Sequence, residues 1–336
     1  MSKHIVVIGG SIAGVSAAIA AKKEKPDVKI TVFDKDPYMP YRRPGIPGVV
    51  EGVFRRASEL QMFLKEARRL GVRIVKNIEA YNINHYSKVI YLRCGEVEEK
   101  VGYDTLVLAT GAEAVKPKVE GADLEGVFTF RKLADAFEIV KYVEKRNVGK
   151  TTIVGASFVA LLLAEALAKR GIKVSMVVRS RVLRKLLEPH QSTIVENYLE
   201  SKGIELFRKV TLEKIVGEKR VEKAVLSDGT EVGTDMVVYA IGAKPETNLA
   251  VKANCKVVNG IIDVNEYMET STEEIYAAGD CSYSWDLITE RKTYTPNAQI
   301  ASTYGKIAGL NALGLKVEAP KTLRMQFEEI LGLNLS

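Results

Sequence analysis

The sequence is poor in the residues that build metal centres, disulfide frameworks and acid-base triads. It has only three cysteines and three histidines, which are Cys94, Cys255, Cys281, His4, His85 and His190. No two cysteines form a C-x-x-C pair, their number is odd, and no histidine stands at the spacing of a metal site or a catalytic triad. The sequence therefore predicts no bound metal, no secreted disulfide scaffold and no histidine-based catalysis.

Long hydrophobic runs are equally scarce. Residues 5–21 form a charge-free run after Lys3 and His4, and this run superficially resembles a signal peptide or a membrane anchor. A glycine turn from a strand into a helix explains it better, and no cleavage-like site follows it. We therefore predict a cytoplasmic protein without a membrane span.

The balance of charge argues against a nucleic-acid partner. The 336 residues include 49 lysines and arginines against 42 aspartates and glutamates, which gives a net charge of +7. The basic residues come in short pairs mixed with acids, such as Arg55-Arg56 and Arg68-Arg69. Most of this charge is expected on a solvated surface that attracts phosphate-bearing ligands.

With 46% hydrophobic and 27% charged residues, the chain is expected to form about two globular domains.

Strand and helix patterns alternate along the chain, which predicts an α/β fold with two Rossmann-like, three-layer dinucleotide-binding domains. One βαβ unit is expected from strand 4–8, helix 12–24 and strand 28–33, and another from a strand starting at 151, helix 158–170 and strand 173–178. The other expected elements are a loop over 36–50, helices over 57–70, 132–146, 190–202 and 297–313, and short strands near 72–75, 79–83, 88–93, 97–101, 105–109 and 275–278. The second unit, residues 113–241, is expected to be inserted into a domain made of residues 1–112 and 242–320.

Two glycine-rich turns each follow a predicted strand. Residues 9–14 read Gly-Gly-Ser-Ile-Ala-Gly, and residues 155–160 read Gly-Ala-Ser-Phe-Val-Ala. Gly9 permits a tight turn, Gly14 permits close packing of helix on strand, and Asp34 falls where an acid binds ribose hydroxyls. Ser11 replaces the usual middle glycine, and a turn that serves packing alone is the alternative. Two such sites in one chain indicate a flow of reducing equivalents between two nucleotide cofactors.

The second glycine turn departs further from the dinucleotide pattern, because Ser157 and Ala160 replace two glycines. Arg179 and Arg181 follow the next predicted strand, where an acid would suit an unphosphorylated ribose. Arginines can form charge-assisted hydrogen bonds to a 2′-phosphate, so the sequence favours NADPH over NADH. The alternatives are that these arginines are ordinary surface charges and that nicotinamide binding is weak or lost.

Three further segments complete the pattern. They are Ala109-Thr110-Gly111, Ala240-Ile241-Gly242-Ala243-Lys244-Pro245 and Ile275-Tyr276-Ala277-Ala278-Gly279-Asp280. Together with the first glycine turn, they resemble the FAD-dependent pyridine nucleotide-disulfide oxidoreductase superfamily over about residues 3–325. The resemblance implies that residues 1–112 and 242–320 bind FAD and that residues 113–241 bind NAD(P)H. It places the FAD pyrophosphate on the first glycine turn and the ribityl-phosphate region at Gly279-Asp280.

The same resemblance implies a set of nucleotide-binding residues. For FAD they are Gly9, Gly10, Ser11, Ile12, Ala13, Gly14, Asp34, Lys35, Arg42, Arg43, Ala80, Ala109, Thr110, Gly111, Arg131, Gly279, Asp280 and Ala298. For NADPH or NADH they are Gly155, Ser157, Phe158, Val159, Arg179, Arg181, Ile241 and Gly242. A place on the solvated surface is the alternative for Arg42, Arg43 and Arg131.

The segment Pro40-Tyr41-Arg42-Arg43-Pro44-Gly45-Ile46-Pro47 decides which chemistry the resemblance implies. In coenzyme A disulfide reductases and related NADH oxidases this region looks like Cys-Gly-Leu-Pro, and the cysteine takes electrons from the flavin. Pro44 occupies the place of that cysteine and cannot form a thiolate. The segment is more similar to the Pro-Tyr-x-Arg-Pro of ferredoxin and rubredoxin reductases, in which the arginine, here Arg43, approaches the flavin. We therefore expect no cysteine relay.

The implied reaction is hydride transfer from the nicotinamide to the flavin, followed by electron transfer to a redox protein, a quinone-like molecule or oxygen. No catalytic side chain is assigned, although Phe158 resembles an aromatic gate over the flavin and is alternatively a core residue. The helix that begins at Pro296-Asn297-Ala298 resembles one whose N-terminus points at the flavin. The alternatives are a non-catalytic FAD-binding subunit or nucleotide sensor and, disfavoured by Pro44, a coenzyme A disulfide reductase.

The C-terminal part of the sequence is shorter than the resemblance implies. Members of the superfamily continue for about a hundred residues into an interface domain that forms a homodimer. This sequence ends at Ser336, soon after Leu323-Arg324-Met325-Gln326-Phe327, which is expected to be the first strand of that domain. Residues 321–336 are therefore expected to be a remnant of the interface domain, and the oligomeric state stays open.

Overall fold

The computed structural model describes residues 3–323 and 328–335, and its elements alternate between strand and helix. Up to residue 146 they are β1 (His4–Ile8), α1 (Ile12–Glu24), β2 (Lys29–Phe33), a 3-10 turn (Arg43–Gly45), α2 (Ile46–Glu51), α3 (Ala57–Leu60), α4 (Leu64–Arg69), β3 (Arg73–Val75), β4 (Glu79–Asn84), β5 (Val89–Cys94), β6 (Val97–Gly102), β7 (Thr105–Leu108), β8 (Ala112–Ala114), β9 (Val127–Thr129) and α5 (Leu133–Arg146). From residue 150 they are β10 (Lys150–Val154), α6 (Phe158–Lys169), β11 (Lys173–Val178), α7 (Pro189–Ser201), β12 (Glu205–Arg208), β13 (Leu212–Val216), β14 (Lys223–Leu226), β15 (Glu231–Gly233), β16 (Met236–Tyr239), β17 (Ala243–Pro245), α8 (Asn248–Lys252), β18 (Val257–Val258), β19 (Ile261–Ile262), β20 (Ile275–Ala277), β21 (Ser284–Trp285), β22 (Lys292–Thr293), α9 (Ala298–Asn311), β23 (Glu328–Ile330) and β24 (Leu333–Leu335). The predicted α/β fold class is confirmed.

The chain divides into two compact units. The described part of the first comprises residues 3–42, 60–113 and 244–323, and that of the second comprises residues 43–59, 114–243 and 328–335. The second unit therefore interrupts the first along the chain. Residues 43–59, which we expected in the first domain, cluster with the second unit. Which nucleotide each unit binds stays a prediction.

The first unit is built on a five-stranded parallel sheet with the strand order β20-β7-β1-β2-β3. All four residues of β7 are buried, and so are four of the five in β1. Such continuous apolar strands are typical of a parallel sheet that is covered on both faces. This unit also contains a three-stranded antiparallel sheet, β4-β5-β6, and the packed pair of helices α1 and α9.

The second unit repeats this topology. Its parallel sheet has the order β12-β11-β10-β16-β9, and it also carries a three-stranded antiparallel sheet, β13-β14-β15. In both units a glycine turn and a helix follow the central strand, which is β1 in the first and β10 in the second. The carboxyl ends of neighbouring parallel strands meet at one edge of each sheet, and that edge is where nucleotides bind in such folds.

Glycines allow α1 and α9 to pack backbone against backbone. A Cβ on Gly305 would lie 2.2 Å from the carbonyl oxygen of Ala13, and one on Gly309 would lie 2.1 Å from that of Ala17. The two glycines are four residues apart and so share one face of α9. The first turn of α1 is therefore fixed by α9 within the same unit.

Two sequence-based expectations are wrong, both in the segment after β2. The predicted loop over 36–50 contains the 3-10 turn and α2, whose start accommodates Pro47 because the first helical positions need no N–H donor. The predicted helix over 57–70 is split into α3 and α4, because Phe63 has a φ of 62°, which a right-handed helix cannot contain. Most of the predicted tail strand, residues 324–327, lies outside the described residues.

Candidate nucleotide-binding sites

The first candidate site begins where the turn after β1 meets the end of β7. Gly9 has a φ of +103°, and a Cβ on it would lie 2.1 Å from the carbonyl oxygen of Ala109. A Cβ on Gly14 would lie 1.9 Å from the carbonyl oxygen of Gly9. The structure thus brings both glycines and Ala109 together, and a side chain at either glycine would displace backbone.

The N-terminus of α1 can receive an anionic group. Ser11 is the N-cap residue, but its side chain makes no capping hydrogen bond. The first N–H groups of a helix lack intrahelical partners and carry a partial positive charge, so phosphate oxygens bind there readily. A Cβ on Gly279 would lie 2.9 Å from the Cβ of Ala13, so the Gly279-Asp280 segment lies against this same turn. These residues fit the pyrophosphate of a dinucleotide.

Asp34 is held by backbone N–H groups of the glycine turn and of its own loop. The residue is 9% exposed, and its Oδ2 accepts a hydrogen bond from the N–H of Gly10. Its Oδ1 accepts from the N–H of Asp36 at 2.7 Å. These bonds fix the carboxylate beside the glycine turn. The neighbouring Lys35 forms an ion pair with Glu113 at 2.9 Å, and although burial alone would lower its pKa, the contact with Glu113 outweighs burial and raises it.

The end of β7 is fixed by Glu246. The Thr110 hydroxyl donates to the carbonyl oxygen of Glu246, and the Glu246 N–H donates to the carbonyl oxygen of Gly111 at 2.9 Å. Gly111 itself has a φ of +72°. The Ala109-Thr110-Gly111 segment is therefore locked at the same sheet edge as Gly9.

The remaining residues predicted for FAD are more dispersed. Ala80 lies in β4, Arg42 is exposed, and Ala298 is the first residue of α9. The side chain of Asn297 accepts hydrogen bonds from the N–H groups of Gln299 and Ile300, so two orphan donors of α9 are already occupied. Two other predicted residues, Arg43 and Arg131, belong to the second compact unit.

The second candidate site has the same construction. Gly155 has a φ of +128°, and a Cβ on it would lie 2.4 Å from the carbonyl oxygen of Ala240. Ser157 is the N-cap residue of α6 and, like Ser11, makes no capping hydrogen bond with its side chain. Ala160 takes the place of the third glycine and is fully buried. The turn at Gly155 therefore fits a second pyrophosphate.

The side chains near this second turn differ in exposure. Phe158 is only 7% exposed, whereas Val159 is 45% and Ile241 is 40% exposed. Two apolar side chains of this turn region therefore face solvent. Gly242 follows Ile241 with a φ of +110° and has open space around it.

The two arginines after β11 behave differently. Arg179 is exposed, whereas the guanidinium of Arg181 donates to the carbonyl oxygens of Arg184 and Leu187, both at 3.1 Å. The prediction that both arginines bind a 2′-phosphate made no distinction between them.

The cysteines are free, and two of them are buried. The Cys281 thiol lies 3.5 Å from the carbonyl oxygen of Leu108, and burial raises its pKa. The Cys255 thiol lies 3.3 Å from the hydroxyl of Thr270, and burial raises its pKa as well. Since the thiolate is the reactive form of cysteine, both environments disfavour redox chemistry.

Sequence reasoning missed several residues that shape these sites. Gly305 and Gly309 hold α9 against α1, and their Gly-x-x-x-Gly spacing on a predicted helix was the available signal. Glu196 is buried. It accepts a hydrogen bond from the N–H of Val182, which is the residue that follows Arg181. No sequence spacing indicates that contact.

The described residues contain neither a candidate metal-binding cluster nor a candidate membrane-spanning helix. Within residues 3–323 and 328–335, no group of three or more histidine, cysteine, aspartate or glutamate side chains could hold a metal ion. Over the same ranges, no helix is both long and apolar enough to cross a membrane.

Comparison with known proteins identifies relatives over nearly the whole chain. The family described as "Pyridine nucleotide-disulphide oxidoreductase" matches residues 3–305. A protein of Methanocaldococcus jannaschii named NADH oxidase is 37% identical over 98% of this chain and 74% of its own length. A Pyrococcus horikoshii protein named NAD(P)H coenzyme A polysulfide/persulfide reductase is 35% identical over 96% of this chain and 72% of its own length.

Solved structures agree with this assignment. The NAD-dependent persulfide reductase of A. fulgidus superposes with a TM-score of 0.92 at 32% identity, over 98% of this chain and 62% of that one. An engineered water-forming NADPH oxidase bound to NADPH superposes with a TM-score of 0.90 at 25% identity, over 98% of this chain and 73% of that one. The predicted resemblance is thereby confirmed: the chain belongs to the pyridine nucleotide-disulphide oxidoreductase family and is an FAD-dependent NAD(P)H oxidoreductase.

Proposed function

We propose that this protein takes hydride from NADPH and passes electrons from FAD directly to an acceptor, without a cysteine relay. Bound FAD supplies the hydride acceptor and the electron store between the two substrates. The chain's own residues bind and orient the two nucleotides, with Gly9, Gly14 and Asp34 serving one and Gly155 and Arg179 serving the other.

The observation that carries the proposal is Pro44. It stands where the resemblance places a redox cysteine, and it lies exposed in the 3-10 turn that leads into α2. The thiols elsewhere are poor substitutes, because Cys281 and Cys255 are buried and have raised pKa values. The third, Cys94, is exposed at the end of β5. This distribution supports direct electron transfer from the flavin.

The residues around the second glycine turn support NADPH, rather than NADH, as the coenzyme. The engineered NADPH oxidase differs from its parent oxidase by five substitutions: a glycine to alanine, three consecutive changes eighteen residues later that leave Ala-Arg-Ser, and a later proline to arginine. In this chain Ala160 is followed eighteen residues later by Val178-Arg179-Ser180, with Lys185 seven residues after Val178. The absence of a carboxylate at Val178 and the presence of Arg179 both favour a 2′-phosphate.

Oxygen is the acceptor that we propose first, since the Methanocaldococcus jannaschii relative is named an NADH oxidase. A redox protein or a quinone-like molecule is the alternative. The relatives named persulfide reductases suggest sulfur acceptors, which we place lower because of Pro44.

The test is anaerobic rapid mixing of the FAD-loaded protein with NADPH or NADH. We expect bleaching of the flavin by both, at least about tenfold faster with NADPH at low coenzyme concentration. Reoxidation with oxygen, a quinone, rubredoxin, and coenzyme A disulfide or persulfide then identifies the acceptor. Retained FAD with no bleaching by either coenzyme would contradict the proposal and favour a non-catalytic subunit or nucleotide sensor.

A thiol test addresses the relay directly. We expect iodoacetamide to leave turnover unchanged in the natural protein and in a Cys94→Ser variant, which lacks the exposed thiol. A Pro44→Cys variant introduces a thiol at the place in question, and its turnover should become sensitive to iodoacetamide. Loss of turnover on alkylation of the Cys94→Ser protein would mean that Cys255 or Cys281 carries electrons.

A further inference from the structure

We propose that Arg181 positions the loop of residues 179–188, while Arg179 is the arginine that binds the 2′-phosphate. This inference rests on the proposed use of NADPH. The sequence assigns 2′-phosphate binding to both arginines, whereas here each arginine has a different role.

The side chain of Arg181 is directed into its own loop. One terminal nitrogen, Nη2, donates to the carbonyl oxygens of Arg184 and Leu187, both at 3.1 Å. Its Nε is buried and makes no hydrogen bond to any described residue. A guanidinium binds a phosphate most strongly through two neighbouring donors that point the same way. In Arg181 one side of the guanidinium is committed to backbone carbonyls and Nε cannot reach solvent.

The same loop is held at a second point by α7. The carboxylate of Glu196 accepts from the N–H of Val182 at 2.9 Å, and the Ser192 hydroxyl donates to the carbonyl oxygen of Val182 at 2.8 Å. Both backbone groups of Val182 are therefore satisfied by buried side chains. The loop has one defined path from the end of β11 to the start of α7.

A third bond connects the loop to the glycine turn. The N–H of Leu183 donates to the carbonyl oxygen of Ala156 at 2.9 Å. Leu183 has a φ of +50°, a conformation that a side-chain-bearing residue adopts only where its surroundings impose it. A change in this loop would therefore be transmitted to the turn that receives the pyrophosphate, and both coenzymes would be affected.

Arg179 is placed differently. It directly follows β11, as Asp34 directly follows β2 in the first unit. Its side chain is exposed and forms no ion pair or hydrogen bond with the residues that the structure describes. A guanidinium in this state can turn toward a phosphate without breaking an existing contact.

The experiment compares Arg179→Gln with Arg181→Gln, using 2′,5′-ADP and 5′-AMP as binding probes in calorimetry. We expect Arg179→Gln to weaken 2′,5′-ADP about tenfold to 100-fold and to leave 5′-AMP unchanged. Arg181→Gln should weaken both probes by the same factor. Arg179→Lys, which keeps the charge, should retain part of the preference for 2′,5′-ADP. Arg181→Lys should restore part of the binding of both probes relative to Arg181→Gln, because an ammonium can also donate to two carbonyl oxygens, as Lys22 does to those of Pro26 and Val28.

Hydrogen exchange provides a readout that does not depend on any coenzyme. Arg181→Gln should speed exchange at the amides of Leu183, Leu186 and Leu187, and Arg179→Gln should not. A selective loss of 2′,5′-ADP binding in Arg181→Gln, with unchanged exchange, would overturn the proposal. So would equal binding of the two probes by the unaltered protein. If that protein is not bleached by NADPH, the proposed function fails, but the exchange comparison still decides the role of Arg181.

Discussion

Gly9 lies so close to Ala109 that a Cβ on it would come within 2.1 Å of the Ala109 carbonyl oxygen. Gly155 and Ala240 stand in the same relationship in the second unit, at 2.4 Å. In each unit the turn after the central strand presses against the end of the adjacent strand. The two candidate sites are thus built by the same backbone geometry, despite their different glycine patterns.

The first prediction concerns Gly9→Ala. We expect a loss of unfolding free energy of about 2–4 kcal/mol, because the new Cβ both meets a carbonyl oxygen and occupies a φ of +103°. FAD retention should fall as well. Urea unfolding and the flavin absorbance of the purified protein measure the two effects.

Gly95→Ala is the matched control for this substitution. Gly95 also has a positive φ, +59°, but no atom lies within 4 Å of its added Cβ. Gly95→Ala should therefore lower the unfolding free energy by about 1 kcal/mol, because of the backbone conformation alone. Equal costs at the two positions would show that the contact with Ala109 carries no weight.

The second prediction separates the two units. We expect Gly155→Ala to keep its FAD and its yellow colour while losing reduction by both NADPH and NADH. The reason is that its Cβ would meet the Ala240 carbonyl oxygen within the second unit. Anaerobic reduction followed at the flavin band measures this. A colourless Gly155→Ala protein would contradict the assignment of FAD to the first unit.

The strands and first helix were predictable from the sequence because their signals are local. The helix predicted over 12–24 has those bounds in the structure, since a glycine turn precedes it and Lys25-Pro26 follows it. The segment after β2 was not predictable in the same way. Its prolines indicated a loop, but α2 packs against α5 and α6, and Arg170 donates to the Val50 carbonyl oxygen at 3.1 Å. Tertiary contacts therefore decided its structure.

The candidate sites show the same limit. Spacing identified Arg179 and Arg181 together, because both follow a strand that leads to a nucleotide site. It could not show that Arg181 donates to backbone carbonyls, since a contact of that kind depends on the path of the loop. Gly305 was likewise recognisable only as a helical residue until its contact with Ala13 was seen.

The third prediction therefore tests Gly305. Because a Cβ there would lie 2.2 Å from the Ala13 carbonyl oxygen, Gly305→Ala should force α9 away from α1 and cost about 1–3 kcal/mol. FAD binding should weaken too, since Ala13 lies in the first turn of α1. Ser302→Ala is the control on the same helix, because it removes one hydroxyl contact with Ser16, at 3.0 Å, and should cost about 1 kcal/mol or less.

The fourth prediction is a pH dependence that arises from His4. Burial, followed by the positive charge of Lys29, lowers the pKa of His4 below its ordinary value of 6.5. The unfolded chain therefore binds the proton more readily than the folded one. The stability from neutral His4 is complete above pH 6.5 and is lost as the pH falls toward the lowered value.

A His4→Gln variant checks this prediction. It should show a weaker fall in unfolding free energy between about pH 6.5 and pH 5 than the natural protein. The Nε2 of His4 lies 3.0 Å from the Thr31 hydroxyl, so a glutamine can keep a polar contact there. Parallel pH curves for the two proteins would show that His4 keeps an ordinary pKa in the folded state.

The last prediction concerns the ion pairs that support α7. Glu196 is 7% exposed, and its carboxylate accepts from the Nε of Arg208 at 3.0 Å. Arg208→Met would leave this buried carboxylate without its cation, and breaking a buried pair from one side costs about 3–5 kcal/mol. The double variant Glu196→Gln with Arg208→Met removes the charge as well, so it should lose less than Arg208→Met alone.

Glu200 supplies the control, since it also pairs with Arg208, at 2.7 Å, but its side chain is 43% exposed. Glu200→Gln should therefore cost about 1 kcal/mol or less, as expected for an exposed pair. Urea unfolding of the natural protein, Arg208→Met, Glu196→Gln and their double variant gives the coupling between Glu196 and Arg208, and Glu200→Gln is measured beside them. If Arg208→Met costs no more than Glu200→Gln, the buried carboxylate does not depend on Arg208, and its hydrogen bond from Val182 must be sufficient to hold it.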